Sequence, residues 1–236
     1  MKKVIAGLIL LIIVLVAVFR EGLAATFTFY DFLNDHPEVA ARADINWREM
    51  SFTSTAKSGT TNPPLTIGNM TLPVPFAATY ETGGNFTHAH NGALSMTLFA
   101  PERPDFFTTY ADDFTTAEEN IACTLLKKST GVVACRDART FYEALLKFKS
   151  TDINLFSSKA DKDIALKLLI IKSKDQLSNG ASKFETEHGT GFLYYVGTDS
   201  YSIYFFTDPD TRYAINLKGL SKADTAYVLS NMLVGN

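Results

Sequence analysis

The 236-residue chain carries 22 Lys+Arg against 25 Asp+Glu, a formal net charge of −3, with 46% hydrophobic and 12% aromatic residues. That balance lacks the basic field with which nucleic-acid binders displace counterions around phosphate, and it is too apolar for a disordered chain. The length predicts one folded domain with a sizeable core once any targeting segment is set aside.

Met1-Lys2-Lys3 precedes an unbroken apolar run from Val4 to Phe19, followed by Arg20-Glu21-Gly22-Leu23-Ala24-Ala25. As a helix this run reaches about 24 Å, slightly short of a ~30 Å hydrocarbon core. Small residues at Gly22 and Ala24 would let a signal peptidase cut after Ala24, whereas the run is longer than the usual ~7–15-residue signal core. Residues 1–25 therefore read as a signal-anchor, with a cleaved signal peptide as the alternative. Lys2 and Lys3 hold the N-terminus in the cytoplasm and place the remainder outside, periplasmic or on the cell surface, or secreted if the segment is removed.

Residues 26–64 read as a stalk and connecting segment. The stretch Thr26–Leu33 is aromatic, and Asn34-Asp35-His36-Pro37-Glu38 starts a short helix, with Pro37 suited to a first turn and Glu38 to the positive end of the dipole. A possible strand around Trp47–Thr55 precedes the loop composition Ser58-Gly59-Thr60-Thr61-Asn62-Pro63-Pro64.

Residues 65–236 read as the extracytoplasmic domain. Leu72–Tyr80, Phe86–His90 and Ala93–Phe99 form strands, with Asn91-Gly92 as a hairpin turn and Pro73 and Pro75 confining the first strand to an edge. Thr116-Ala117-Glu118-Glu119 has the form of a capping box ahead of a helix carrying Ile121, Ala122, Leu125 and Leu126 and ending before Gly131. Phe141, Leu145 and Phe148 mark a second helix. Lys159–Ile171 reads as a third helix or, from the run Ile164–Ile171, as a buried strand. Gly191–Val196, Ser200–Thr207 and Arg212–Lys218 form a meander. Its middle strand is apolar on both faces, and its last strand buries Tyr213, Ile215 and Leu217 while wetting Arg212, Ala214, Asn216 and Lys218. Ser221 caps a C-terminal helix carrying Tyr227, Leu229 and Leu233 and ending at Gly235. The sum is an α+β fold: an antiparallel sheet with helices packed mainly on one face, preceded by an N-terminal transmembrane or signal helix.

Cys123 and Cys135 are the only cysteines, and in an exported chain they read as a structural disulfide closing a short loop. Local catalytic signatures are missing: no Gly-x-Ser-x-Gly, phosphate loop, Gly-x-Gly-x-x-Gly, His-Glu-x-x-His or Cys-x-x-Cys occurs. His88 and His90, two apart on a strand, share a face and could meet one divalent metal, with Glu81 or the distant His188 completing the shell. The solvated-hairpin reading needs no third ligand. Glu185, Glu187 and His188 in a Gly-flanked segment could serve acid–base chemistry in a hydrolase, or form a polar strand end. The sequons at Asn69 and Asn85 are read as chance. The aromatics Phe192, Tyr194, Tyr195, Tyr201, Tyr204, Phe205 and Phe206 are either a partner surface or a two-sided core, decided by whether Tyr194, Tyr204 and Phe206 are covered. No cofactor is implied. The expectation is a membrane-tethered binding or assembly module of the cell envelope with a protein partner, no nucleic acid and no catalysis; the alternatives are the hydrolase and the metal-binding protein.

Overall fold

The computed structural model describes residues 23–52, 62–103, 114–154, 157–174 and 180–235. The apolar run 4–19 and most of the loop at 58–64 lie outside the described residues. Among the described residues no helix is long and apolar enough to cross a membrane.

The helices that begin at Thr116, Ala138, Lys159 and Lys222 each start where a side chain satisfies otherwise orphaned amides. Residues 23–35 form α1, and Pro37–Ala43 forms α2, with Pro37 in its first turn. The next helix is α3 (Thr116–Thr130), and its capping box begins at Thr115, one residue before the expected one. Thr115 is the cap, its hydroxyl accepting from the Glu118 amide at 3.3 Å while the Glu118 carboxylate accepts from the Thr115 amide at 2.8 Å. Asp137 caps α4 (Ala138–Lys147) by accepting from the Thr140 amide at 2.8 Å. The ambiguous Ile164–Ile171 run is helical within α5 (Lys159–Lys174), because Ser158 and Asp161 cap it reciprocally and Ile164, Leu168 and Ile171 fall on one buried stripe. Ser221 caps α6 (Lys222–Ser230), which stops at Asn231, short of Gly235. The residues beyond it turn back as a strand.

The sheet has eight strands: β1 (Trp47–Met50), β4 (Thr79–Thr82), β5 (Phe86–Asn91), β6 (Leu94–Phe99), β7 (Ala181–Thr186), β8 (Gly189–Gly197), β9 (Ser200–Phe206) and β10 (Arg212–Lys218). Their order is β1-β7-β8-β9-β10-β6-β5-β4, antiparallel throughout except that β1 runs parallel to β7. A second sheet, β11-β3-β2, joins Leu65–Ile67 (β2), Met70–Leu72 (β3) and Leu233–Val234 (β11). The hairpin expected at Asn91-Gly92 is shifted by one. Asn91 pairs with Leu94, so Gly92 and Ala93 are the turn, and Gly92 supplies the positive φ of 72°. The expected Leu72–Tyr80 strand does not form: residues 73–78, with Pro73 and Pro75, are irregular, and only its ends join strands, Leu72 in β3 and Thr79–Tyr80 in β4.

Two cores lie on opposite faces of the main sheet. On one face the helices α1 to α5 pack against Ala181, Phe192, Tyr194 and Phe206. On the other, β2, β3 and α6 pack against Phe184, Leu193, Ile203, Phe205, Ile215 and Leu217. Helices are thus concentrated on one face, and α6 with the small sheet closes the other. The segment expected as a stalk belongs to this body: Phe29, Leu33 and Val39 are in the helical core, and β1 extends the sheet. Arg42 Nη1 donates to the Ser173 carbonyl at 2.6 Å, and Asp44 accepts from Ser150 at 2.8 and 2.7 Å, fixing α2 against α5 and the turn after α4. Cys123 in α3 and Cys135 ahead of α4 are disulfide-bonded, with Cα atoms 5.7 Å apart.

Arg212 departs from its expected wet position. It is 4% exposed, its guanidinium 4.0 Å from the centre of the Tyr204 ring, with Nε donating to Glu102 at 2.8 Å. A planar cation can stack on an aromatic face and still satisfy a carboxylate, so burial here needs no water. Tyr194 and Phe206 are 2% and 0% exposed and Tyr204 lies beneath Arg212, which makes the aromatic strands a two-sided core.

Candidate functional site

His88 and His90 share a face of β5, their rings stacked 5.2 Å apart. Strand pairing sets Glu81 directly opposite His88, and the Glu81 carboxylate lies 3.4 Å from His90 Nε2. His88 Nδ1 is 2.8 Å from the Thr97 hydroxyl. These contacts make a polar row, and His188 is not part of it, lying in the β7–β8 turn toward the other edge of the sheet. Among the described residues no group of three or more His, Cys, Asp or Glu is arranged to hold a metal ion.

The hydrolase residues are drawn into structural contacts. Glu185 accepts from Thr190 at 2.7 Å and pairs with Lys183 at 3.0 Å. Lys183 also pairs with Glu143, which in turn holds Lys147 at 2.7 Å. Burial works against ionisation of Glu143, but the hydrogen bonds from Lys147 and Lys183 outweigh it and hold the carboxyl below its ordinary pKa. Burial likewise opposes the Lys183 charge, and Glu185 and Glu143 reverse that, raising its pKa. Glu187, its side chain 83% exposed, lies 3.3 Å from His188 Nε2 at the tip of the turn. The Thr186 hydroxyl in that turn accepts from the His188 amide at 3.1 Å. These groups stabilise a strand end; Glu185 and Lys183 border a hollow beside β1, and Glu187 and His188 do not line it.

Two concavities lie where the end of β1 passes between the sheet and α6. Met50 and Phe52 separate two hollows. One, of about 220 Å³, is charged, lined by Glu49, Ser51, Lys183, Phe184 and Glu185. The other, of about 160 Å³, is mostly apolar, lined by Met50, Phe52, Leu193, Tyr195, Tyr201, Lys222 and Thr225.

Each wall of the apolar hollow has a cause in the fold. Tyr195 and Tyr201 are register partners on β8 and β9, so their rings meet edge to face at 5.6 Å. The Tyr195 hydroxyl donates to Met50 Sδ at 3.6 Å, and the Phe52 ring sits edge-on to Phe184 at 5.1 Å. Burial raises the Tyr201 pKa, with Asp199 and Tyr195 adding to it, so this wall stays neutral. From α6, Thr225 faces inward at 4% exposure. Its amide bonds the Ser221 carbonyl at 2.9 Å, but its buried Oγ1 has no hydrogen-bond partner.

No known protein family, curated protein or solved structure matches this chain. The cavity therefore has to be read from its own chemistry. Sequence reasoning did not find it, since its lining comes from β1, β8, β9 and α6. The one available signal was Thr225, which stands three and four residues before Val228 and Leu229 on the buried stripe of α6.

Proposed function

We propose that the chain is a small-ligand-binding module of the cell envelope, tethered to the membrane by its apolar N-terminal run and without catalysis. The observation that carries the binding reading is the apolar cavity walled by Met50, Phe52, Leu193, Tyr195 and Tyr201. The titratable clusters at His188 and at His88 are engaged in local pairs, which favours binding over hydrolysis or metal capture.

The tether reading rests on the run Val4–Phe19 behind Lys2 and Lys3, with the folded body outside the cytoplasm and a disulfide suited to that compartment. Residues 23–35 are already helical and pack Phe29 and Leu33 into the domain, so a membrane segment would hold the body closely instead of through a loose stalk. An envelope protein partner fits this placement, and the net charge of −3 disfavours nucleic acid.

Titration of the full-length, detergent-solubilised protein with small aromatic compounds tests the binding reading. Saturable binding that is lost in Met50→Trp, where an indole fills the cavity, is the expected result; no binding by any compound would overturn it. Intact mass and membrane fractionation in the native host test the tether. A full-length mass in the membrane fraction is expected, and a soluble species beginning near Ala25 would remove it.

A further inference from the structure

We infer that the outer face of α1, carrying Phe27 and Tyr30, rests in the headgroup layer of the bilayer, so that the helical face of the domain lies toward the membrane and the cavity beside α6 opens on the aqueous side. This rests on the tether reading above and adds the surface by which the tethered body meets lipid. α1 is apolar on two sides. Its inner stripe, Ala25, Phe29 and Leu33, recurs every fourth residue and is buried, Phe29 completely. A second stripe, Leu23, Phe27, Tyr30 and Asn34, has the spacing of one helix face. Phe27 lies roughly 160° round the helix from Phe29, so the second stripe points away from the body. It is open there, with Phe27 68% and Tyr30 46% exposed. A surface helix normally sets polar residues opposite its core stripe; α1 sets two aromatics there.

The outer stripe also changes along its length. Leu23 is nearest the apolar run, Phe27 follows, Tyr30 adds a hydroxyl, and Asn34 is polar. That order matches the passage from acyl chains through the headgroups, where tyrosine is enriched, to water. The chain itself brings the lipid: Phe27 stands eight positions after Phe19, the end of the apolar run, a reach of at most about 29 Å. Asp31 and Asp35, exposed beside the stripe, give no attraction to anionic headgroups, so apolar burial drives the contact. Because α1 packs on the helical core, while β11 and the cavity lie on the opposite face of the sheet, this contact fixes which way the cavity opens.

The test places tryptophan on either side of the body in the full-length chain, reconstituted in phosphatidylcholine vesicles with and without brominated acyl chains, which quench indole emission on contact. The wild type gives the baseline, its single Trp47 being packed against the helical core. Phe27→Trp and Tyr30→Trp alter exposed positions, and each is expected to add emission that brominated lipid quenches, more strongly at 27, and that high salt leaves quenched. Leu233→Trp, exposed on β11, should add emission that bromine leaves unchanged. Protein that floats with the vesicles while Phe27→Trp stays unquenched would overturn the lipid contact and leave the tether standing. An indole at 27 shielded from both bromine and aqueous iodide would assign the stripe to a second copy of the chain and overturn the contact likewise. Equal quenching at 233 would overturn the orientation. Failure of the wild type to float with vesicles would overturn tether and contact together.

Discussion

One register line crosses all eight strands of the main sheet, and its two halves differ in kind. Through β1, β7 and β8 it reads Trp47, Ala181 and Tyr194, all in or packed against the helical core; through β9, β10, β6, β5 and β4 it reads Ser202, Asn216, Thr97, His88 and Glu81. The strands under the helices are covered on both faces. The end of β9 that carries Tyr204 and Phe206 shares that double cover; along the rest of the line the sheet buries only the side toward β2, β3 and α6. The lesson is that one continuous hydrogen-bonded sheet carries two energetic regimes, and the side-chain chemistry of each strand follows the number of faces it buries.

The largest break of this comparison should come from truncating an aromatic in the doubly covered half. Phe206, fully buried against Tyr142 and Phe192, should cost about 3–5 kcal/mol as Phe206→Ala in urea denaturation. Next is the link within the helical layer: replacing Cys123 and Cys135 together by Ser should cost about 3 kcal/mol by freeing the loop in the unfolded chain. A loss as large on the Thr97 side of the sheet as at Phe206 would erase the distinction.

Gly191 tests how tightly the doubly covered strands pack. A Cβ there would lie 2.0 Å from the Phe184 ring, so Gly191→Ala should destabilise by about 1–3 kcal/mol through overpacking, read as a lower urea midpoint.

Lys172 sharpens the same comparison through pH, being a cation inside the helical core. Its ammonium donates to the Leu146 and Phe148 carbonyls at 2.9 and 2.5 Å, at the end of α4. Burial, partly opposed by Asp44, lowers its pKa from 10.5 to about 7. Between those values the unfolded chain holds a proton that the folded chain has released. This site's contribution to stability therefore rises with pH across that window, by up to about 1.4 kcal/mol per pH unit. The difference in unfolding free energy between the wild type and Lys172→Met, measured from pH 6 to 10, isolates that rise, because the other groups cancel. A flat difference would place the lysine in a solvated setting.

The smallest effects belong to the singly covered half. Thr97→Ala and His88→Ala should each change stability by about 0.5 kcal/mol or less, since their row belongs to neither core.

Much of this architecture was legible before any coordinates. Alternation in Tyr213, Ile215 and Leu217 gave their buried face, and the spacing of Ile164, Leu168 and Ile171 is the stripe that α5 buries. The candidate site was not legible. Its walls are residues far apart in the chain, and a hydroxyl on a helix carries no mark of being orphaned until its neighbours are assembled around it.

Local chemistry in the sequence by itself determined where helices start, which strand faces are apolar, the α+β class and the cysteine pairing, because caps, periodicity and a single pair of thiols act over short ranges or admit one solution. Tertiary structure alone decided that β1 joins β7 in parallel, that β11 returns to β3, that Arg212 is buried between Tyr204 and Glu102, and that Thr225 faces a cavity. Those outcomes depend on which distant surfaces bury each other, and the free energy of that burial is a property of the assembled layers, not of any one segment.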